Sequence, residues 1–137
     1  MSAATAVRPT APADLLRQRA IGVAVATLLA AVLWALETQV FSVQILIRFG
    51  ASAPQTVGIV AVILSSLAGA VAGWGLLTVL ERRIARAGDI WTAIAALALL
   101  ASFVLPILAA TTISAKVSLS LLHVAVAGVI IPAFRRA

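Results

Sequence analysis

One apolar segment decides the fold, and it reads Lys116-Val-Ser-Leu-Ser-Leu-Leu-His123-Val-Ala-Val-Ala-Gly-Val-Ile-Ile-Pro132. It is the last of four long apolar runs, and it carries the chain's one histidine and its one lysine. Helical positions spaced by four, three and four residues share one stripe, and here they are Lys116, Ser120, His123 and Ala127. Hydrocarbon cannot solvate the polar members, so we expect the stripe to face the interior of a helical bundle.

The histidine of this segment supports two interpretations. In the first, His123 hydrogen-bonds a neighbouring helix and only fixes the packing. In the second, it handles protons or binds a ligand, because the pKa of imidazole lies near neutrality. No metal site is expected, since one histidine without cysteine does not supply a ligand set. Lys116 is interpreted as an end anchor whose amine reaches the membrane interface.

The composition places the chain among multi-span membrane proteins. Of its 137 residues, 64% are hydrophobic and 10% are charged, whereas about 25% are charged in soluble proteins. Mean hydropathy is +1.19. We predict an all-α fold, a four-span transmembrane helical bundle over residues 14–137, after a disordered cytoplasmic tail at residues 1–13. The predicted spans lie at about residues 20–38, 56–80, 90–111 and 117–134.

The basic residues predict the orientation. Eight of the ten flank the same ends of the apolar runs, namely Arg8, Arg17, Arg19, Arg82, Arg83, Arg86, Arg135 and Arg136. The remaining two, Arg48 and Lys116, fall at the other ends. The positive-inside rule therefore places both termini in the cytoplasm. The net charge of +6 is thereby attributed to topology, with Arg82, Arg83 and Arg86 as anchors, and not to nucleic-acid binding.

Glu37 lies at the outer end of the first span. One interpretation is an exposed interfacial carboxylate. The other is a partner for His123, Lys116 or Arg48, which fall on the same side of the membrane. Only the second interpretation would make this end of the bundle a functional site.

Pro106 lies inside the third span and deprives the Ser102 carbonyl of its usual helical donor. Such a carbonyl is satisfied by a neighbour or by water, often with a kink in the helix. Together with the stripe and Glu37, this position completes one candidate polar site, which comprises His123, Ser120, Lys116, Glu37 and Ser102.

Small residues form a stripe on the second span. Ser65, Gly69 and Gly73 repeat every four residues, and the last two form a GxxxG motif. Small residues let two helix backbones approach closely. We therefore predict tight helix packing here, against another span or against a second copy of the chain.

The connection at residues 39–55 is too apolar for a free external loop. It is expected to extend the first span or to lie along the membrane interface. Gly50 and Pro54 indicate the turn that follows.

The chain contains none of the common nucleotide, metalloprotease, hydrolase or calcium-binding motifs. No catalytic residue and no cofactor is therefore assigned. Three segments, Pro106-Ile-Leu-Ala-Ala-Thr-Thr, Leu119-Ser-Leu-Leu-His123-Val-Ala-Val and Ile130-Ile-Pro132, resemble those of small four-helix integral membrane proteins of actinobacteria, a family of unknown function. The resemblance covers nearly the whole chain. It implies a fold and a membrane location, and no activity.

The chain is also similar in length and span count to the small multidrug transporters. Their defining carboxylate lies in the middle of the first helix, where this chain has Thr27, and Glu37 is near the helix end. We therefore predict a non-enzymatic protein of the bacterial cytoplasmic membrane, an accessory or assembly subunit. Its expected partners are the lipid bilayer and a second copy or another membrane protein. The alternative is a small transporter or proton-coupled channel that uses His123 and Glu37.

Overall fold

The computed structural model describes residues 12–136, and most of them are helical. The elements, in chain order, are α1 (Pro12–Ala35), a π-helical turn (Leu36–Val40), β1 (Leu46–Ile47), β2 (Gln55–Thr56), α2 (Ile59–Glu81), α3 (Ala87–Ser102), α4 (Val104–Ala109) and α5 (Ile113–Arg136).

Four helical segments are long and apolar enough to cross a membrane. They are Ala13–Val40, Ile59–Glu81, Ala87–Ala109 and Ile113–Arg135. The all-α class and the four apolar helices are thus confirmed. Large apolar side chains cover the outside of the bundle, and Leu97, Leu108 and Ile113 are 66%, 77% and 82% exposed. Such exposure suits contact with lipid, where apolar surface needs no burial inside the protein.

The helices pack around α1. It lies against both α5 and α2, while α3 contacts α5 and α2 from the other side. We call the end of the bundle with the start of α1 and the end of α5 the inner end, and the end with β1 and β2 the outer end. The main core is near the inner end, where Ala26, Leu77, Trp91 and Phe134 are buried. Trp91 donates from Nε1 to the Gly73 carbonyl at 2.8 Å. This bond ties the first half of α3 to α2.

Gly22 in α1 lies in close contact with α5. A Cβ atom at this position would lie 3.0 Å from Cβ of Ala133 in α5. Ala26 and Ala30 follow at four-residue intervals and are almost completely buried. α1 therefore presents a stripe of small residues, Gly22, Ala26 and Ala30, that lets the neighbouring helices come close.

The third span is interrupted where the proline predicts a kink. α3 ends at Ser102, Phe103 forms a turn, and α4 resumes at Val104. The Ile107 amide donates to the Phe103 carbonyl at 3.1 Å, so the helix reforms one turn later around Pro106.

A short β-hairpin closes the outer end of the bundle. β1 pairs antiparallel with β2, and Gly50, with φ +57°, lies in the turn between them. The Arg48 amide donates to the Ala109 carbonyl at 2.8 Å, and the Thr111 amide donates to the Leu46 carbonyl at 3.0 Å. The apolar connection is therefore neither a free loop nor a simple extension of the first span, although α1 does continue to Val40 by one π-helical turn.

The predicted boundaries need correction at the N-terminus. α1 begins at Pro12, so the expected disordered tail at residues 1–13 is wrong at its last two positions. Proline is well tolerated in the first helical turn, where its missing amide hydrogen would have no partner anyway. The rest of that tail, residues 1–11, lies outside the described residues.

Candidate functional site

A cavity of about 520 Å³ lies between α2, α3 and α5 and is open towards the outside of the bundle at exposed Ser65, Gly69 and Ala98. Small side chains make the space, because Gly69, Ala98 and Ala127 leave room where larger residues would fill the bundle. Trp91 lies at the inner end, and Val57 and Leu119 line the outer end. The cavity is therefore bounded by the main core on one side and by the hairpin region on the other.

The polar side chains of the cavity occupy its outer half. They are Ser65 and Ser66 near the start of α2, Ser102 at the end of α3, and His123 in the outer half of α5. The hydroxyl of Ser66 donates to the Val62 carbonyl at 2.8 Å. The other two serines likewise donate to carbonyls of their own helices. The hydroxyl hydrogens are thus used within each helix.

His123 is held by its own helix. Its Nδ1 lies 2.6 Å from the Leu119 carbonyl oxygen. A carbonyl can only accept, so Nδ1 carries the hydrogen and Nε2 of the neutral ring is an acceptor. The side chain is half-buried and lines the cavity. The bond expected from His123 to a neighbouring helix is thus made to the preceding turn of α5 instead.

The predicted polar site is not brought together as a unit. His123 and Ser102 line the same cavity, but Lys116 and Ser120 lie outside the set of lining residues. Glu37 belongs to the opposite part of the bundle, beside α5 on the face of Ser118. The five candidate residues are therefore divided between a cavity, an outer helix end and a buried carboxyl.

Glu37 is buried and is not an exposed interfacial carboxylate. It sits in the π-helical turn Leu36–Val40. Ser118 lies beside it, while Oε2 has no partner among the residues that the structure describes. Ion pairs with Lys116 or Arg48 are absent from residues 12–136.

Ser118 was not among the predicted site residues, because the helical spacing puts it opposite the stripe of His123. That placement was correct, and it is what brings Ser118 to Glu37. The signal available in the sequence was a serine in an apolar helix that faces away from the main polar stripe, since such a side chain should find a polar neighbour of its own.

The small-residue stripe of α2 does not pack as predicted within the chain. A Cβ added at Gly69 would meet nothing within 4 Å, and one at Gly73 would meet only Trp91, at 3.7 Å. Ser65 and Gly69 are exposed and line the cavity. Close packing against a second copy of the chain stays a prediction.

The inner end of the bundle carries the charged groups. Arg82, Arg83 and Arg86 are exposed, and Arg86 pairs with Asp89 at 3.2 Å. A second pair, Arg19 with Glu81, joins α1 to α2 and was not predicted. Among the described residues, no group of three histidine, cysteine or acidic side chains is placed to hold a metal ion.

Comparison with known proteins gives one match. The model of the family DUF6069, described as a family of unknown function, matches residues 10–137. No curated protein and no solved structure gives a significant match. Because the match extends over nearly the whole sequence, the chain belongs to the family DUF6069.

Proposed function

We propose that this chain is a non-enzymatic, multi-pass protein of the bacterial cytoplasmic membrane that acts as an accessory or assembly subunit of another membrane protein. One observation carries the proposal. The ionisable groups within the apolar helices are engaged inside the fold, His123 with the Leu119 carbonyl and Glu37 beside Ser118. They are not gathered around one reaction centre or along one path across the bundle.

The proposed orientation has both termini in the cytoplasm. It is supported by the exposed arginines at the inner end, which include Arg17, Arg82, Arg83 and Arg135, because basic residues are retained on the cytoplasmic side. We also propose that the chain is one of the small four-helix membrane proteins of actinobacteria that its sequence resembles. A second copy of the chain is one possible partner, and another membrane protein is the other.

Cross-linking in native membranes tests the subunit role. The chain has no cysteine, so single cysteines placed at Leu97 and Leu108, both exposed to the surroundings of the bundle, react without background. A stoichiometric cross-linked partner that survives purification in mild detergent is the expected result. A cysteine at buried Ala70 is the control. Monomer alone from both exposed positions would contradict the proposal.

The alternative function is a small transporter or proton-coupled channel. The position of His123 on the cavity wall favours it, whereas Glu37 does not share that wall. Proton flux into liposomes under a pH gradient separates the two functions. If the chain is a transporter, we expect a proton flux that His123→Gln and Glu37→Gln each abolish. If it is an accessory subunit, we expect no proton flux above that of protein-free liposomes.

A further inference from the structure

The shape of the cavity restricts what can occupy it. On α2 its lining runs from Val62 to Leu76, which corresponds to a length of about 20 Å at 1.5 Å per residue. The volume of about 520 Å³ then gives a mean cross-section of about 25 Å². The cavity is thus an elongated slot wide enough for a hydrocarbon chain.

The two ends of the slot differ in polarity. The outer half holds the serines and His123, while the inner half is walled by Gly, Ala and Ile side chains and ends at Trp91. The indole N–H of Trp91 is already used on the Gly73 carbonyl. A ligand therefore meets polar atoms at one end and apolar atoms along the rest of its length.

The hydrogen-bonding atoms that remain available to a ligand in the outer half are acceptors, namely Nε2 of His123 and the serine hydroxyl oxygens. The serine hydroxyls donate to carbonyls of their own helices, and Nδ1 of His123 donates to Leu119. Nε2 of His123 has no partner within residues 12–136 and, in the neutral ring, accepts a hydrogen bond. Arginine, lysine, aspartate and glutamate do not line the slot, so a charged head group would lie there without compensation.

We propose that this slot binds an uncharged, single-chain amphiphile whose terminal hydroxyl donates a hydrogen bond to Nε2 of His123 and whose chain extends towards Trp91. Fatty alcohols, isoprenoid alcohols and quinols share this chemistry. The site goes beyond the proposed subunit role and does not depend on it.

The ligand enters from the bilayer. Ser65, Gly69 and Ala98 line the slot and are exposed, so the space between α2 and α3 is open to the surroundings of the bundle. An amphiphile dissolved in the membrane can pass between these helices with its hydroxyl in the outer half, where the polar side chains lie.

Fluorescence quenching of Trp91 tests the site. In a Trp74→Phe background, which keeps the Trp34 bond to Val57, protein in lipid nanodiscs is titrated with 16-bromohexadecan-1-ol, whose bromine lies at the end of the chain opposite the hydroxyl. Saturable quenching is expected, about fivefold tighter than that by 1-bromohexadecane, because one net hydrogen bond distinguishes the two probes. His123→Phe should reduce the alcohol to the affinity of the bromoalkane.

Filling the slot provides the matched control. Gly69→Leu extends into open space on the cavity wall and should abolish saturable quenching, whereas Ala68→Leu, at an exposed position outside the lining, should not. Ala98→Leu fills the slot from α3 and replaces Gly69→Leu if that variant does not fold. Linear quenching that is equal in wild type and both filled variants overturns the site. An unchanged alcohol preference in His123→Phe overturns the assignment of the head group.

Extraction distinguishes the sources of the ligand. Organic extracts of purified wild type and of Gly69→Leu are compared by mass spectrometry. A fatty alcohol, an isoprenoid alcohol or a quinol found with wild type and depleted from the variant supports the proposal and names its source. A diacyl phospholipid with that pattern contradicts it, because a charged head would then be the one selected.

Discussion

The guanidinium of Arg19 and the carboxylate of Glu81 form a two-pronged ion pair between the first and second membrane helices. Nη1 donates to Oε2 at 3.0 Å, and Nη2 donates to Oε1. The Arg19 side chain is only 6% exposed, while that of Glu81 is 40% exposed. Because arginine stays protonated in proteins, its burial at this helix junction depends on the carboxylate that pairs with it.

Removing the acid should destabilise the bundle. Glu81→Gln leaves a buried guanidinium without its counter-charge, and we expect the free energy of unfolding to fall by about 1–3 kcal/mol. Thermal unfolding in detergent, followed by circular dichroism, measures the change. Asp89→Asn is the control, because it breaks the exposed Arg86–Asp89 pair and should cost less than about 0.5 kcal/mol. Equal effects of the two substitutions would contradict the argument.

The small residues of α1 should be more sensitive to substitution than those of α2. Gly22→Leu forces a side chain into the contact with Ala133 and should lower the free energy of unfolding by about 1–3 kcal/mol. Gly69→Leu meets open space and should leave the unfolding midpoint unchanged. Both midpoints are measured in the same detergent. A larger loss for Gly69→Leu would restore the GxxxG motif as the packing contact.

The sequence predicts the four helices because length and hydropathy report directly on membrane spans. It does not say which stripe of small residues packs, since Gly22, Ala26 and Ala30 have the same spacing as Ser65, Gly69 and Gly73. The two stripes differ in whether a neighbouring helix packs against them, and this depends on the tertiary structure. The pair Arg19–Glu81 is hidden for the same reason, because 62 residues separate its members.

The candidate site was predictable only in part. The stripe argument places His123 on the inside, the proline argument selects Ser102, and both residues line the cavity. For Glu37 the sequence left two interpretations open, an exposed carboxylate and a partner for a charged or polar neighbour, and the structure shows it buried in a π-helical turn. The cavity itself depends on how far α2 and α3 diverge, which no single-helix pattern encodes.

The hairpin should loosen when its indole anchor is removed. Nε1 of Trp34 donates to the Val57 carbonyl at 2.8 Å and fixes the chain just after β2. Trp34→Phe keeps an aromatic ring but leaves this carbonyl without its donor. We expect faster amide hydrogen exchange in residues 46–57 and unchanged exchange in α3. Trp74→Phe, which removes an indole from the membrane part of α2, is the control. Unaltered exchange in the hairpin would show that the β-ladder alone holds it.

Reporter fusions test the proposed orientation. The asymmetry of eight basic residues against two predicts a cytoplasmic C-terminus and an external hairpin. A fusion at Ala137 should therefore be active with a reporter that folds in the cytoplasm. An alkaline phosphatase insertion at Ala51, in the exposed hairpin turn, should be active outside. The opposite pair of signals would invert the topology, and with it the outer location of the polar half of the cavity.

Replacing the buried carboxyl of Glu37 should stabilise the fold. Its Oε2 lies without a hydrogen-bond partner among the described residues, and burying such a group costs free energy. Glu37→Gln keeps the shape and the contact with Ser118 but carries no charge, so we expect the unfolding midpoint in detergent at neutral pH to rise by a few degrees, corresponding to about 1 kcal/mol. Gln39→Leu, at an exposed position of the same turn, is the control and should leave the midpoint unchanged. A lower midpoint for Glu37→Gln would mean that the carboxylate itself is bonded in the folded protein. The π-helical turn would then hold a charged group that stabilises the bundle, and Ser118→Ala should lower the midpoint by a similar amount.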